Sequence, residues 1–308
     1  MAEVGVMAGK VLVTGASGML GSALCPELRS RGFQVIATDW RPDDRLGTLL
    51  DVRDYEEVKR VVDREAPEIV MHLAAETDVD RCEIEPDHAM LTNAMGTEHV
   101  ALACRRADIL MVYIGTAGVF DGMKHTPYIE FDLPNPVNVY GRSKWEGEKL
   151  VAGLLRRYFI FRASWMVGGG PRDKKFVRKI AELIANQDEV AVVNDKWGTP
   201  TFTFDLARAM VDLIQTTDRY GLYHLGNQGS CTRFELAQEV ARCLGREQVR
   251  IRPIPSAAFP LPAPRARSEM LENYKLRLLG EDKMPPWQES LVRYLREWPV
   301  GQAVRSGG

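Results

Sequence analysis

The chain has 308 residues, of which 45% are hydrophobic and 27% are charged, and its formal net charge is −2. A chain of this length can form one large α/β domain with a smaller appendage. The near-neutral charge provides no basic field for nucleic acid or an anionic membrane, and no apolar run reaches the roughly 18 residues of a membrane span. We therefore expect neither a nucleic acid nor a membrane as a partner.

The N-terminus and the cysteines favour a cytoplasmic protein. Residues 1–10 lack the basic segment and apolar core of a signal peptide. The 5 cysteines are odd in number, widely spaced and without a C-x-x-C motif, which is typical of reduced thiols rather than a disulfide framework. The 5 histidines show no metal-ligand spacing, so we expect no metal site.

Short apolar runs separated by helix-length amphipathic stretches organise the first half of the chain. They are β-branched and nearly continuous in hydrophobicity, as expected of strands that are buried on both faces. Strands that alternate with helices predict an α/β fold with a doubly wound parallel sheet, which is Rossmann-like. The runs are residues 10–15, 33–39, 68–75, 109–116 and 158–164.

The pattern changes after about residue 168. A glycine-rich loop, a helix-like stretch and a strand over 189–195 follow, and the proline-rich segment 251–268 must be extended or looped. We predict a dinucleotide-binding domain over 1–167 and a smaller, mainly substrate-binding lobe over 168–308, with segments that return to the first domain. Residues 301–308 are expected to be disordered.

Three glycines, Gly15, Gly18 and Gly21, follow the first predicted strand and open a helix. Glycines permit a tight turn and let backbone amides approach a pyrophosphate at a helix N-terminus. Asp39 ends the second predicted strand, 39 − 21 = 18 residues after the last glycine. This is close to the roughly 20-residue offset of a carboxylate that binds the adenosine ribose. The pattern predicts NAD(H) or NADP(H). Asp39 would repel a 2′-phosphate and favours NAD(H), whereas Arg41 offers that phosphate a partner.

Two Tyr-x-x-x-Lys pairs compete for the role of a catalytic acid and its helper: Tyr55 with Lys59, and Tyr140 with Lys144. A spacing of four places both side chains on one helical face in either case, so spacing does not decide between them. Tyr55 begins a helix between the second and third predicted strands, on which Lys59 looks solvated. Tyr140 follows the end of the fourth strand, and ligands of open parallel sheets bind at the carboxyl ends of strands. We therefore predict the second pair as catalytic.

Longer motifs add to the glycine pattern, and they span roughly residues 10–295. The stretches HLAA (72–75), TNAMGT (92–97) and YGRSK (140–144), with Thr116, resemble the extended short-chain dehydrogenase/reductase superfamily. Within it, further stretches resemble the dTDP-4-dehydrorhamnose reductase family. These are AAETDVDRCEIEP, TAGVFDG, NPVNVYGRSKWEGE, FRASWMVGGG, NDKWGTPT, GLYHL and IPSAAFPLPAPRARSEM.

The resemblance implies a catalytic triad of Thr116, Tyr140 and Lys144, of which the last two also contact the cofactor. It implies that Trp165 packs against the sugar and that Asn93 is a buried residue that helps to hold the active site. The substrate diphosphate needs donors from the second lobe, and the candidates are Lys174, Lys175, Arg265 and Arg267. Besides the glycines and Asp39, the implied cofactor contacts are Ser17, Met19, Asp51, Val52, Leu73, Ala74, Ala75, Thr77 and Asn93.

The chain departs from the family around the catalytic threonine. The family usually carries Ser before it and Asp and Tyr after it, where this chain has Gly115, Ala117 and Gly118. We expect a reductase of a nucleotide-linked 4-keto-6-deoxy sugar, with only weak activity on the usual rhamnose precursor. A homodimer is left open.

Three other functions are alternatives to the reductase. An epimerase of the same superfamily uses the same triad and stays open. The intact triad argues against a non-catalytic subunit resembling the methionine adenosyltransferase β subunit. A 4,6-dehydratase needs an acid and a base directly after the threonine, and Ala117 and Gly118 are neither.

Overall fold

The computed structural model describes residues 9–41, 48–170, 173 and 175–298. Lys174 and the segment 301–308, for which predictions were made above, lie outside the described residues. The strands are β1 Lys10–Thr14, β2 Gln34–Asp39, β3 Thr48–Leu49, β4 Ile69–His72, β5 Leu110–Thr116, β6 Tyr158–Ala163, β7 Met166–Val167, β8 Glu189–Val193, β9 Trp197–Gly198, β10 Thr201–Phe202, β11 Gly221–His224, β12 Cys231–Thr232, β13 Arg250–Ile254 and β14 Ser268–Glu269.

The helices connect these strands and cover their faces. They are α1 Met19–Ser30, α2 Tyr55–Glu65, α3 Val79–Ile84, α4 Pro86–Met90, α5 Gly96–Ala107, α6 Val139–Leu154, α7 Phe176–Asn186, α8 Thr203–Thr216, α9 Arg233–Cys243, α10 Tyr274–Leu278 and α11 Trp287–Glu297. A π-helical turn, Leu91–Met95, joins α4 to α5, and 3₁₀ turns span Ala117–Val119 and Ser256–Ala258.

Seven parallel strands form the central sheet, in the order β11-β6-β5-β4-β1-β2-β3. The five apolar runs identified in the sequence became β1, β2, β4, β5 and β6, so the predicted doubly wound parallel sheet is confirmed. The strand order reverses between β1 and β4, and the carboxyl ends of strands at such a point flank the crevice where ligands bind.

Helices bury both faces of the sheet. On one face α1 packs against α8 through Leu24, Leu28, Leu206 and Met210. On the other face α2, α5 and α6 contribute a separate apolar cluster. Full burial of a side chain of this kind stabilises the fold by about 1.5–3 kcal/mol. Strand β11 and helix α8 come from the second half of the chain, so that half contributes a strand to the central sheet and a helix to the layer that covers it.

A second, smaller core lies among α7, α9 and α11. Its strands pair as β8 with β13, β7 with β10, and β12 and β14 with β9. The Ser164 hydroxyl, just past β6, donates to the Glu269 carbonyl at 2.7 Å and ties this lobe to the carboxyl edge of the large sheet. Within the described residues, no helix is both long and apolar enough to cross a membrane.

Candidate active site

A cleft of about 1360 Å³ follows the carboxyl edge of the central sheet and extends to the second lobe. Its walls contain the glycine loop, Asp39 and the predicted triad, and at the far end Trp165, Lys175 and Arg265. Among the described residues predicted to bind cofactor or substrate, Asn93 and Arg267 do not line it.

The glycine loop is shaped to receive an anion. Gly15 has a φ of +68°, and a Cβ there would lie 2.7 Å from the Ala74 nitrogen. A Cβ at Gly21 would lie 2.4 Å from the Ala16 carbonyl oxygen, so the first turn of α1 can pack this closely only around glycine. Helix α1 begins after Gly18 with no side-chain cap and no acidic residue in its first turn. Its leading amides and the positive end of its dipole therefore suit the diphosphate of a dinucleotide.

Charges of both signs meet at the end of β2. The Asp39 carboxylate is 7% exposed and accepts from the backbone nitrogens of Ser17 at 3.1 Å and Arg41 at 3.3 Å. The guanidinium of Arg41 lies 4.1 Å from the centroid of the Trp40 ring, and that of Arg53 lies 5.9 Å from it. A fixed carboxylate suits ribose hydroxyls, and two nearby guanidinium groups suit a phosphate.

The remaining predicted cofactor contacts form the walls on either side of the loop. Asp51 holds Arg53 through an ion pair of 2.6 Å, and this hydrogen-bonded guanidinium keeps the pKa of Asp51 below its ordinary value. The Thr14 hydroxyl accepts from the Ala74 nitrogen at 3.3 Å, which fixes the chain just past β4. The wall residues are Asp51, Val52, Leu73, Ala74, Ala75 and Thr77.

Thr116 and Tyr140 meet at the carboxyl end of β5. The Thr116 oxygen accepts from the Gly118 nitrogen at 3.0 Å, and Thr116 is close enough to Tyr140 to act on the pKa of the phenol. Asn138 caps α6 by accepting from the Gly141 nitrogen at 2.8 Å, which sets the start of the helix that carries Tyr140. Burial raises the pKa of Tyr140 to about 12, against the opposing effect of Thr116. At neutral pH the phenol is protonated and can act as an acid.

Lys144 lies one helical turn after Tyr140 and is 4% exposed. Its ammonium stands 4.1 Å from the centroid of the Tyr113 ring. Burial lowers the pKa of Lys144 to about 7, although the negative charge of Glu148 opposes the shift. That carboxylate is itself held by Arg162 in a buried ion pair of 2.7 Å. The lysine is thus poised to change charge near neutral pH.

The competing tyrosine lies elsewhere. Tyr55 begins α2 after the Asp54 cap, and Lys59 pairs with Glu56 at 3.7 Å on the solvated side. Val58 is buried on the inner side of this helix, as expected from the sequence. Neither Tyr55 nor Lys59 lines the cleft.

Residues 9–299 match the family described as the RmlD substrate binding domain. The chain belongs to this family. It is 38% identical to a dTDP-4-dehydrorhamnose reductase of Streptomyces griseus over 91% of both chains. It is 36% identical to a dTDP-4-keto-6-deoxy-D-glucose reductase of Streptomyces niveus, over 95% of this chain and 94% of the relative.

A solved relative shows that the likeness extends to the whole fold. The dTDP-4-dehydrorhamnose reductase of Bacillus anthracis, solved in complex with NADP, is 37% identical and superimposes with a TM-score of 0.86. The comparison covers 94% of this chain and all of that one, 100%. The resemblance inferred from the motifs is therefore confirmed.

Asn93 was predicted to contact the cofactor, but it does not line the cleft. It is fully buried, at 0% exposed, and lies behind the cleft wall rather than on it. Its side chain accepts from the Glu76 nitrogen at 2.8 Å and donates to the Ser143 hydroxyl at 3.0 Å. It joins the loop after β4 to helix α6, so its influence on a bound cofactor is indirect, while the predicted role of holding the site fits this position.

The departures from the family pattern around Thr116 are not equivalent. Ala117 is fully buried in a cluster with Phe120 and Tyr128 and does not face the cleft. Gly118 lines the cleft, as Gly115 does, and a Cβ at Gly118 would lie 3.5 Å from Tyr140 Cε1, which is ordinary contact. The small side chain of Ala117 therefore leaves no extra space in the cleft.

The departure at Gly115 is explained by the packing around it. A Cβ at this position would lie 2.4 Å from Glu148 Oε1 and 3.0 Å from Arg162 Cγ. The buried ion pair occupies the space in which the family usually has a serine side chain.

Trp165 lines the cleft, and its ring packs against two groups of the second lobe. A Cβ at Gly198 would lie 2.2 Å from Trp165 Cε2, and the Arg233 guanidinium lies 3.6 Å from the ring centroid. The Trp165 indole nitrogen also donates to Glu269 at 2.8 Å, and the residue has a φ of +25°, a strained conformation typical of functional sites.

The cationic side chains of the second lobe differ in whether they already pair with other groups of the protein. Arg265 pairs with Asp80 at 3.0 Å, and its carbonyl accepts from the Lys196 ammonium at 2.7 Å. Lys175 precedes α7 and lines the cleft. Arg233, which the sequence reasoning missed, also lines it. A lone arginine at the start of a helix carries no sequence signal that separates it from a solvated one.

Proposed function

We propose that this chain is an NAD(P)H-dependent reductase of a nucleotide-linked 4-keto-6-deoxy sugar. The observation that carries the proposal is the meeting of Thr116, Tyr140 and Lys144 in the cleft that also contains the glycine loop. The two relatives from Streptomyces, named as reductases of different dTDP-linked keto sugars, support the reaction class and leave the hexose open.

The residues divide the work of carbonyl reduction. The dinucleotide, when bound, supplies a hydride to the ketone carbon. Tyr140, protonated at neutral pH because its pKa is raised to about 12, donates its proton to the developing alkoxide. Thr116 hydrogen-bonds the same oxygen and sets its angle to Tyr140. The Lys144 ammonium stabilises the resulting tyrosinate and holds the cofactor ribose.

The finer proposal on the cofactor is that NADH is bound at least as well as NADPH. The buried Asp39 carboxylate supports this because it would repel a 2′-phosphate. Arg41 and Arg53, both beside Trp40, offer that phosphate partners, and the relative from B. anthracis was solved with NADP. We therefore expect both cofactors to be used. A cytoplasmic location is part of the proposal, and the unpaired thiols of all five cysteines support it.

The experiment offers the purified chain NADH and NADPH with dTDP-4-dehydrorhamnose and dTDP-4-keto-6-deoxyglucose, and follows the absorbance of the reduced nicotinamide. Oxidation that depends on a keto sugar is expected. No oxidation with any keto sugar would contradict the proposal. Tightly retained NAD in the purified protein, with interconversion of sugars and no net oxidation, would identify the epimerase instead.

A further inference from the structure

Arg233 has an unusual setting for an arginine at a helix start. Its guanidinium lies 3.6 Å from the centroid of the Trp165 ring and 4.7 Å from that of Phe176. Contacts with two aromatic rings restrain the guanidinium, and its N–H groups are the part that can bind a ligand. All three side chains line the cleft.

The guanidinium N–H groups of Arg233 are not engaged by the protein. Within the described residues, the Arg233 guanidinium makes no hydrogen bond and no ion pair of 4 Å or less, and only the backbone nitrogen of this residue donates, to the Lys196 carbonyl at 3.2 Å. Arg265, in contrast, pairs with Asp80. The nearest influential carboxylate, Glu269, acts on Arg233 through its charge and already accepts from Trp165. Burial lowers the pKa of Arg233 to about 10, so the group remains a cation at neutral pH. A desolvated cation without a bonded anion favours an anionic ligand.

A series of interactions connects Tyr140, beside which the substrate carbonyl would lie, with Arg233. Glu269 is close enough to Tyr140 for its charge to raise the pKa of the phenol. Glu269 binds the edge of Trp165, and Trp165 carries Arg233 on its face. In a nucleotide sugar the anomeric carbon lies across the ring from C4, and the diphosphate is the next group. A substrate with its C4 ketone at Tyr140 thus brings its diphosphate toward the second lobe.

We propose that Arg233, in contact with the rings of Trp165 and Phe176, binds the diphosphate of the sugar nucleotide. The inference rests on the proposed function for the nature of the ligand. It gives Trp165 the task of supporting the arginine. A planar guanidinium can donate two parallel hydrogen bonds to phosphate oxygens, which a lysine cannot.

Calorimetric titration of the full chain with dTDP and with thymidine tests this. Arg233→Met should weaken dTDP binding about tenfold to a hundredfold, since charge-assisted hydrogen bonds are lost, and leave thymidine and NADH affinities unchanged. Arg233→Lys keeps the charge without the planar fork and should show a smaller loss; it also keeps the test valid if the methionine variant fails to fold. Arg242→Met, on the exposed side of the same helix, is the matched control and should bind as wild type does.

Two results would overturn the inference: dTDP affinity within twofold of wild type in Arg233→Met, or an equal loss for thymidine. Absence of dTDP binding to the wild-type chain would overturn it as well. The titration requires no turnover, so its outcome is distinct from that of the reductase assay. A chain that binds dTDP through Arg233 but reduces no keto sugar would contradict the proposed reaction alone.

Discussion

Lys144→Met is expected to stabilise the protein while it removes catalysis. Lys144 is 4% exposed, and its burial lowers its pKa from 10.5 to about 7. Between these two values the unfolded chain binds a proton that the folded chain does not, so stability rises with pH across this window. At about 1.4 kcal/mol for each pH unit, the buried ammonium lowers the free energy of unfolding by roughly 5 kcal/mol at or below pH 7. Methionine fills a similar volume without that charge.

Equilibrium urea unfolding at pH 7, 8 and 9 measures the effect, with fluorescence and circular dichroism required to give coincident transitions. The variant should be the more stable at pH 7, and its advantage should shrink by about 1.4 kcal/mol for each pH unit. Lys149→Met, on the exposed face of α6 with Glu146 as its partner, is the control and should show no such slope. An advantage that does not change with pH would refute the reasoning.

Four further substitutions, one of them a control, test the site. Tyr140→Phe should slow single-turnover hydride transfer by a factor on the order of 10²–10⁴, with cofactor affinity retained. Tyr55→Phe, away from the cleft, should react as wild type does. The opposite ranking would show that Tyr140 and Lys144 are not the catalytic pair. Asp39→Ala should raise the kcat/KM ratio of NADPH to NADH by removing charge repulsion, and an unchanged ratio would contradict the role of the carboxylate. We expect weak turnover of dTDP-4-dehydrorhamnose by the wild type. Gly118→Tyr should raise its kcat/KM, because a Cβ there meets only ordinary contacts, and efficient wild-type turnover would contradict this.

The strands and the glycine loop could be predicted because their causes are local. Strands buried on both faces must be apolar along their whole length, and that pattern is visible within each run. Gly21 is required by the carbonyl of Ala16, five residues earlier in the chain. The position of Tyr140 followed from one further rule, that ligands bind at the carboxyl ends of parallel strands.

The direction of individual side chains could not be predicted in the same way. Ala117 and Gly118 are neighbours in a 3₁₀ turn, and only the second faces the cleft. Trp165 was expected to meet the sugar, and its ring packs against Gly198 and Arg233, which are far from it in the sequence. Residue type indicates that an aromatic side chain will be buried against something, and only the tertiary structure identifies the neighbour.

The glycine before the catalytic threonine illustrates how a departure from a family pattern can concern a different function from the one it first suggests. Because Gly115 precedes Thr116, the sequence places it with the other departures around the sugar pocket. In the structure it gives room to Glu148, whose carboxylate is bound by Arg162 through both Nε and Nη2. Burial lowers the pKa of Lys144 to about 7, and the negative charge of Glu148, one turn away, opposes that shift. Gly115 therefore gives room to the buried ion pair of Glu148 and Arg162, and of the three departures Ala117 alone does not line the cleft.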